Sequence, residues 1–282
     1  MISVKWISNF GNNMFQFAVL YSVCKETGYQ MYSGNWQGNS NDDIEVGNGK
    51  VLYNLPPDDV EIPIIDNIWH DTNDCMAQTY DTNIFKIQDN TQLYGFFQCD
   101  KYFIKYRDDI LKFYKFKDES INNIATTVIQ SLNRKCIICC HNREGDYWVN
   151  PGTFPIMNEE YYKKAIELIK EKQNINDEDI GVVVTTDNIY TTKFNFLNDM
   201  NICFIISKEN KFVDMTIMKN SNHCITAASS FSWWGAWLNE NNPIIVSPKY
   251  WINHFKNNSW APEDIKMSLS NQYFIDCEGN IC

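Results

Sequence analysis

Apolar residues recur along the chain in short runs broken by polar segments, and two periods can be read in them. Ile2 to Ile7 reads as a short strand, and Ser8-Asn9-Phe10-Gly11-Asn12-Asn13 as the polar turn after it. Met14 to Thr27 carries Phe17, Tyr21 and Cys24 at helical spacing, with Gly28 placed to end the helix. Tyr29 to Ser33 reads as the next strand, so the chain opens as a βαβ unit with a polar loop at the end of its first strand. Residues 34–90, rich in Asn, Asp and Pro, show little periodicity. Leu93 to Cys99 is a further strand candidate, and helices are expected near 103–115 and 118–132.

The signal sharpens after Lys135. Cys136 to Cys140 is apolar throughout, as expected of a parallel strand buried on both faces. Asn158 is suited to cap a helix running to about Lys172, with Glu159 and Glu160 favourable in its first turn. Ile180 to Thr186, Ile202 to Ile206, Cys224 to Ala227 and Ile244 to Ser247 continue a strand series with helical stretches between. This alternation predicts an α/β fold with parallel sheets, which bind ligands at the carboxyl ends of their strands. The polar clusters 8–13, 141–147, 185–188 and 228–232 fall at such ends. The weakest patterning, near 116–134, is where a domain boundary is expected, dividing the chain into 1–132 and 133–282.

Composition narrows the function. With 44% hydrophobic and 15% aromatic residues the 282-residue chain has ample material for a core. Asp and Glu outnumber Lys and Arg 35 to 24, a net charge of -11, which disfavours a nucleic-acid binder but leaves room for a small anion held by a few local donors. No apolar run reaches the roughly 20 residues that span a bilayer, and the N-terminus lacks a signal-peptide pattern. Of the ten cysteines, Cys136, Cys139, Cys140 and Cys203 sit in apolar strand-like runs, the Cys136-Ile137-Ile138-Cys139 spacing included, which reads as buried reduced thiols in a cytoplasmic protein, at most peripheral to a membrane. The Asn257-Asn258-Ser259 sequon would then be silent. Asp177-Glu178-Asp179, Asp42-Asp43, Asp58-Asp59 and Asp108-Asp109 read as solvated surface acids, so no metal site is expected.

Four segments are candidates for chemistry. In His141-Asn142-Arg143-Glu144-Gly145-Asp146-Tyr147, directly after a buried strand, Arg143 is either a clamp for phosphate or a turn residue paired with Asp146 or Glu144. Ser229 and Ser230, between a strand and a helix start, suit an anion, whereas Trp233, Trp234 and Trp237 suit packing. Gly11 allows close backbone approach, although the G-x-G-x-x-G fingerprint of dinucleotide binders is missing. Asp187 is either a hydrogen-bond acceptor for a ligand or an ordinary helix cap.

Taken together these segments resemble the α-1,2-fucosyltransferase family, glycosyltransferase family 11. Asn9 to Gln16 matches the second half of its G-G-L-G-N-Q-M-F-Q start, and Gly95 to Phe103 is close to G-Y-x-Q-S-E-K-Y-F. His141 to Tyr147 matches H-x-R-R-G-D-Y except at Glu144. Asp214 to Met218 corresponds to D-x-x-L-M, and Ala228 to Leu238 to N-S-S-F-S-W-W-G-A-W-L, with Ala228 where the family often has Asn. The resemblance implies two Rossmann-like halves facing a cleft (the GT-B type) and an inverting, metal-independent enzyme of the galactoside α-1,2-fucosyltransferase type. GDP-fucose would be its donor and co-substrate, a glycan its acceptor, and no separate cofactor would be needed.

By the same resemblance, 133–282 would hold the nucleotide sugar and 1–132 the acceptor. Arg143 would clamp the β-phosphate, with His141 near the nucleoside and Asp187 on guanine or ribose. Ser229, Ser230 and Phe231 would line the diphosphate, and Asn12, with Phe10 and Gly11, would cover the donor. Asp146 is the candidate base, or else only orients Arg143. Glu144 reverses the charge of the family's second arginine. Alternation along an extended segment turns it away from Arg143 and hence from the donor. The alternatives are a different GDP-sugar, including a deoxysugar analogue, or a non-catalytic glycan-binding relative.

Overall fold

The apolar runs form two parallel sheets, each belonging to its own unit. The structure is a computed structural model and describes residues 1–33, 64–71, 80–150, 153–251, 265–268, 271–276 and 278–282. The acidic pairs at 42–43 and 58–59 and the sequon at 257–259 lie outside these residues. One unit comprises Met1–Asp118 with Pro262–Ser268, the other Glu119–Ala261 with Leu269–Cys282. The helix Glu119–Ser131 thus joins the second unit, where an amphipathic pattern lets it bury Ile121 and Ala125.

In the first unit, β1 (Ile2–Val4), β2 (Met31–Tyr32), β3 (Asn67–His70) and β4 (Thr91–Tyr94) pair in the order β2-β1-β4-β3, all parallel. The helix after β1 runs Phe10–Thr27 and closes at Gly28, whose N–H bonds Cys24 O at 2.9 Å. It begins four residues before the expected Met14. Phe10-Gly11-Asn12-Asn13 is therefore its first turn and not a loop, which corrects the sequence reading. Asn9 takes the extended N-cap conformation, and its carbonyl accepts from the N–H groups of Asn12 and Asn13 at 2.9 and 3.1 Å. Gly and Asn are poor helix formers, which hid this turn from the pattern. The helix expected over 103–115 is the short turn Ile104–Tyr106 followed by Arg107–Phe113. The strand expected over 93–99 stops at Tyr94, because the chain turns at Gly95 and Phe97 has φ +53°.

In the second unit, β5 (Cys136–Asn142), β6 (Ile180–Thr186), β7 (Cys203–Ile206), β8 (His223–Ile225), β9 (Ile244–Pro248) and β10 (Asn271–Ile275) form a six-stranded parallel sheet ordered β10-β9-β8-β5-β6-β7. The core behind it is continuous, from Ile138 and Val182 to Tyr161, Tyr162 and Ile169 of the helix Glu159–Gln173. Full burial of each such side chain contributes roughly 1.5–3 kcal/mol. Asn158 caps that helix, accepting from Tyr161 N at 3.0 Å. Tyr161 also donates its hydroxyl to Thr226 O at 2.7 Å, so its polar end is satisfied inside the core.

Two consequences follow for a site. The chain runs from β5 through β6 to β7 on one side, then returns to β8 on the other, so the order reverses beside β5. Register sets His141 opposite Thr185 and Asn142 opposite Thr186, while Cys140 pairs with Ile225. The segments that leave β5, β6 and β8 therefore start side by side at a topological switch point, where open parallel sheets bind ligands. In the first unit the corresponding reversal lies between β1 and β4.

Candidate active site

At the switch point of the second unit the sequence-predicted residues of 141–147, 187 and 228–231 come together. Arg143 leaves the end of β5 and bonds two carboxylates, Asp146 Oδ1 through Nη2 at 2.8 Å and Asp187 Oδ2 through Nη1 at 3.0 Å. Its guanidinium also lies 5.5 Å from the centre of the Tyr147 ring, and the side chain keeps 27% exposure. Of the two pairings considered for Arg143 as a turn residue, the one with Asp146 is present. Glu144 bonds elsewhere. Asp187, an exposed residue just past the end of β6, caps no helix: its Oδ1 accepts from Glu144 N at 2.9 Å while Oδ2 holds Arg143. Gly145 packs closely here, because a Cβ on it would lie 2.6 Å from Asp187 Oδ2 and one of the two would have to shift.

His141, the penultimate residue of β5, is 5% exposed and rests against Phe231, ring centres 5.3 Å apart. Burial, helped by the nearby Arg143, lowers its pKa to about 3, so the ring is neutral at physiological pH. Its Nδ1 is buried without a hydrogen-bond partner among the described residues, which leaves it open to a bound group or water. Phe231 lies in the first turn of the helix Ser230–Trp237, with Ser229 at the N-cap making no side-chain cap bond. The amide groups of a first helical turn lack intrahelical acceptors and carry partial positive charge. Tyr147 ties this turn to the β5 loop by donating its hydroxyl to Ala228 O at 2.7 Å. Trp233, Trp234 and Trp237 are buried and pack on one another, as expected.

Glu144 turns to the opposite side from Arg143. Its carboxylate binds Lys193 Nζ at 2.6 Å and Asn188 Nδ2 at 2.7 Å. Burial pushes its pKa up, but Lys193, Asn188 and Asn142 outweigh that and leave it below the usual carboxylate value. The sequence reading did not single out Lys193. A lone lysine in the polar stretch after β6 gave no spacing signal.

Phe10, Gly11 and Asn12 belong to the first unit, in the opening turn of its first helix, where Asn12 enters a polar cluster. Asn12 donates to Ser8 Oγ at 2.7 Å and accepts from Gln98 Nε2 at 2.6 Å, which links the chain leaving β1 to the chain leaving β4. Gln16 donates to Gly95 O at 2.9 Å, and Asn13 to Ile7 O at 3.0 Å. Asp71, just past β3, was not anticipated. Its carboxylate accepts from Phe97 N at 2.7 Å, and burial raises its pKa to about 6 against the lowering effect of the Phe97 and Phe96 amides. Gly95 packs directly on it, since a Cβ there would meet Asp71 Cβ at 2.1 Å.

Of the acids read as surface, Asp108 and Glu178 are exposed, and the others among the described residues are partly buried in surface pairs. Asp177 and Asp179 pair with Lys170 and Lys135, and Asp109 accepts from the Tyr21 hydroxyl at 2.8 Å. Among the described residues no group of three His, Cys, Asp or Glu side chains is arranged to hold a metal ion, and no helix is long and apolar enough to cross a membrane. The cysteines among them are free.

The family model of glycosyl transferase family 11 matches residues 59–268, more than half of the chain. The O-antigen biosynthesis glycosyltransferase WbnK of Escherichia coli is 30% identical over 176 residues, 57% of this chain and 55% of the relative. The alpha-1,2-colitosyltransferase of Escherichia coli is 30% identical over 184 residues, 61% of this chain and 60% of the relative. The matched stretch thus spans less than two thirds of either relative. Among solved structures, the fucosyltransferase NodZ from Bradyrhizobium shares the fold, with a TM-score of 0.53 and 12% identity over 84% of this chain and 91% of that one.

Proposed function

Because the chain belongs to glycosyl transferase family 11, we propose that it is an inverting glycosyltransferase that moves L-fucose from GDP-L-fucose to a glycan hydroxyl in α-1,2 linkage, without a metal ion. The observation that carries this reading is the cluster at the β5 switch point. A partly exposed Arg143 is held by Asp146 and Asp187 beside the unsatisfied Nδ1 of His141 and the first turn of the helix Ser230–Trp237. Such a set suits a nucleoside diphosphate: a guanidinium and backbone amides for the phosphates, and a neutral imidazole for the nucleoside.

The chemistry follows from charge. The acceptor oxygen attacks the anomeric carbon as the sugar–phosphate bond breaks, and the bonding electrons pass to the β-phosphate. Negative charge grows there, so Arg143 and the amides of Ser230 and Phe231 bind the transition state more tightly than the donor. They supply the counter-charge that a divalent cation supplies in other transferases. When phosphate takes up Arg143, Asp146, 59% exposed, is released from its ion pair and is free to receive the acceptor proton. Departure of the sugar as an oxocarbenium-like species needs only late help from that base. Asp187 stays on Glu144 N and keeps the guanidinium aimed.

A second reading, transfer of a more deoxygenated sugar such as colitose, draws support from the relative named for that transfer. Incubating the chain with GDP-L-fucose and a galactoside, and assigning the product by NMR, tests the proposal. An α-1,2-linked fucoside is expected. A product formed only from a dideoxysugar donor favours the second reading, and a chain that releases no GDP from any such donor refutes both.

A further inference from the structure

Arg143 is flanked by two residues that share one anchor. Asn142, fully buried, and Glu144, 5% exposed, point to the same side of the extended chain, and both bind Lys193: Nζ lies 2.6 Å from Glu144 Oε1 and 3.1 Å from Asn142 Oδ1. Lys193 also donates to Met157 O at 2.5 Å and lies over the Tyr162 ring. Tyr162 in turn donates its hydroxyl to His141 O at 2.9 Å. The second carboxylate oxygen of Glu144 is taken by Asn188, next to the Asp187 that holds Arg143. The network is closed: each charge has its partner, and it spans the segments leaving β5 and β6.

We propose that Lys193 is a positioning residue that, through its largely buried ion pair with Glu144, holds the 141–147 segment so that Arg143 is aimed at the diphosphate. The nucleotide as the ligand of Arg143 rests on the reading above. The ion pair also explains the charge at position 144. An arginine there, as in the family pattern, would set a second cation against Lys193. Glu144 and Lys193 form a matched pair in this chain, and Arg143 alone answers the phosphate from this segment. Removing one member of a buried pair leaves an uncompensated charge, whereas exchanging the two preserves the bond.

The test uses Lys193→Met, Lys193→Arg and the exchanged double variant Glu144→Lys/Lys193→Glu, with two readouts. The first is the Nε–H NMR signal of Arg143 in the nucleotide-free chain, assigned by its loss in Arg143→Lys. The second is GDP affinity by titration calorimetry. Lys193→Met should broaden the Arg143 signal and weaken GDP at least tenfold, while Lys193→Arg and the exchanged pair remain within threefold of wild type. If Lys193→Met does not fold, the exchanged pair decides against the single Glu144→Lys. A sharp Arg143 signal and unchanged GDP affinity in folded Lys193→Met overturn the proposal, as does an exchanged pair no better than Glu144→Lys. A wild-type chain that binds no GDP refutes the nucleotide reading instead, and the Arg143 signal then judges Lys193 alone.

Discussion

Gly145→Ala adds one methyl group at the point where the loop after β5 touches Asp187. The new Cβ would sit 2.6 Å from Asp187 Oδ2 and 3.2 Å from its Cγ, where ordinary contact begins at 3.4 Å. Moving from 2.6 to 3.4 Å requires a shift of about 0.8 Å. Asp187 has little freedom to make it, being bonded to Glu144 N at 2.9 Å and Arg143 Nη1 at 3.0 Å. Displaced by that much, the carboxylate leaves hydrogen-bond range of the guanidinium, whose N–H···O contacts extend to about 3.2 Å. A lost hydrogen bond to a charged group costs about 1.5–3 kcal/mol, or roughly 10- to 150-fold in GDP affinity and kcat/KM at 1.4 kcal/mol per decade. Overpacking itself should destabilise the fold by about 1–3 kcal/mol. Calorimetry with GDP, steady-state kinetics and urea unfolding measure the three effects, and Asp187→Asn should reproduce the first two without the overpacking. A Gly145→Ala protein with GDP affinity and kcat/KM within twofold of wild type would refute the view that Asp187 aims Arg143.

In the first unit, Gly95→Ala should be more severe, because its Cβ would meet Asp71 Cβ at 2.1 Å and neither atom is the end of a flexible chain; loss of soluble, cooperatively unfolding protein is expected, and a wild-type melting curve would contradict it. Asp214 is buried, accepts from Ser207 Oγ at 2.5 Å, and has its pKa raised by burial from 3.8 to about 7. The folded state then holds this proton more tightly than the unfolded one, so stability falls as pH rises from about 4 to about 7, by up to roughly 1.4 kcal/mol per pH unit. Asp214→Asn should flatten that slope in urea titrations, and an unchanged slope would count against it. Transfer should be unaffected by EDTA, since Arg143 and helix amides carry the phosphate charge; strict dependence on an added divalent cation would refute that assignment.

Much of this was legible in the sequence. Strands β5, β6, β8 and β9 are buried on both faces and read as apolar runs, and the cap at Asn158 announced its helix. Strand β3 did not, because Asn67–His70 is an edge strand with largely exposed side chains and no alternation. The N-terminal helix was read four residues short because Asn12 and Asn13 bond Ser8 Oγ and Ile7 O, the kind of local side-chain bonding that lowers helix propensity. For the site, strand ends pointed to Arg143, His141 and the Ser229–Phe231 turn. The partnerships between segments, Asp187 with Arg143 and Lys193 with Glu144, depend on the register of β5 beside β6, which no local pattern encodes.

Titration calorimetry of wild-type and Arg143→Ala proteins with GDP, UDP and CMP tests the central claim most directly. The account predicts saturable GDP binding by wild type, none with UDP or CMP, and at least a tenfold loss, about 1.4 kcal/mol, in a folded Arg143→Ala protein. Equal GDP affinity in the two proteins, or no GDP binding by wild type, would contradict it.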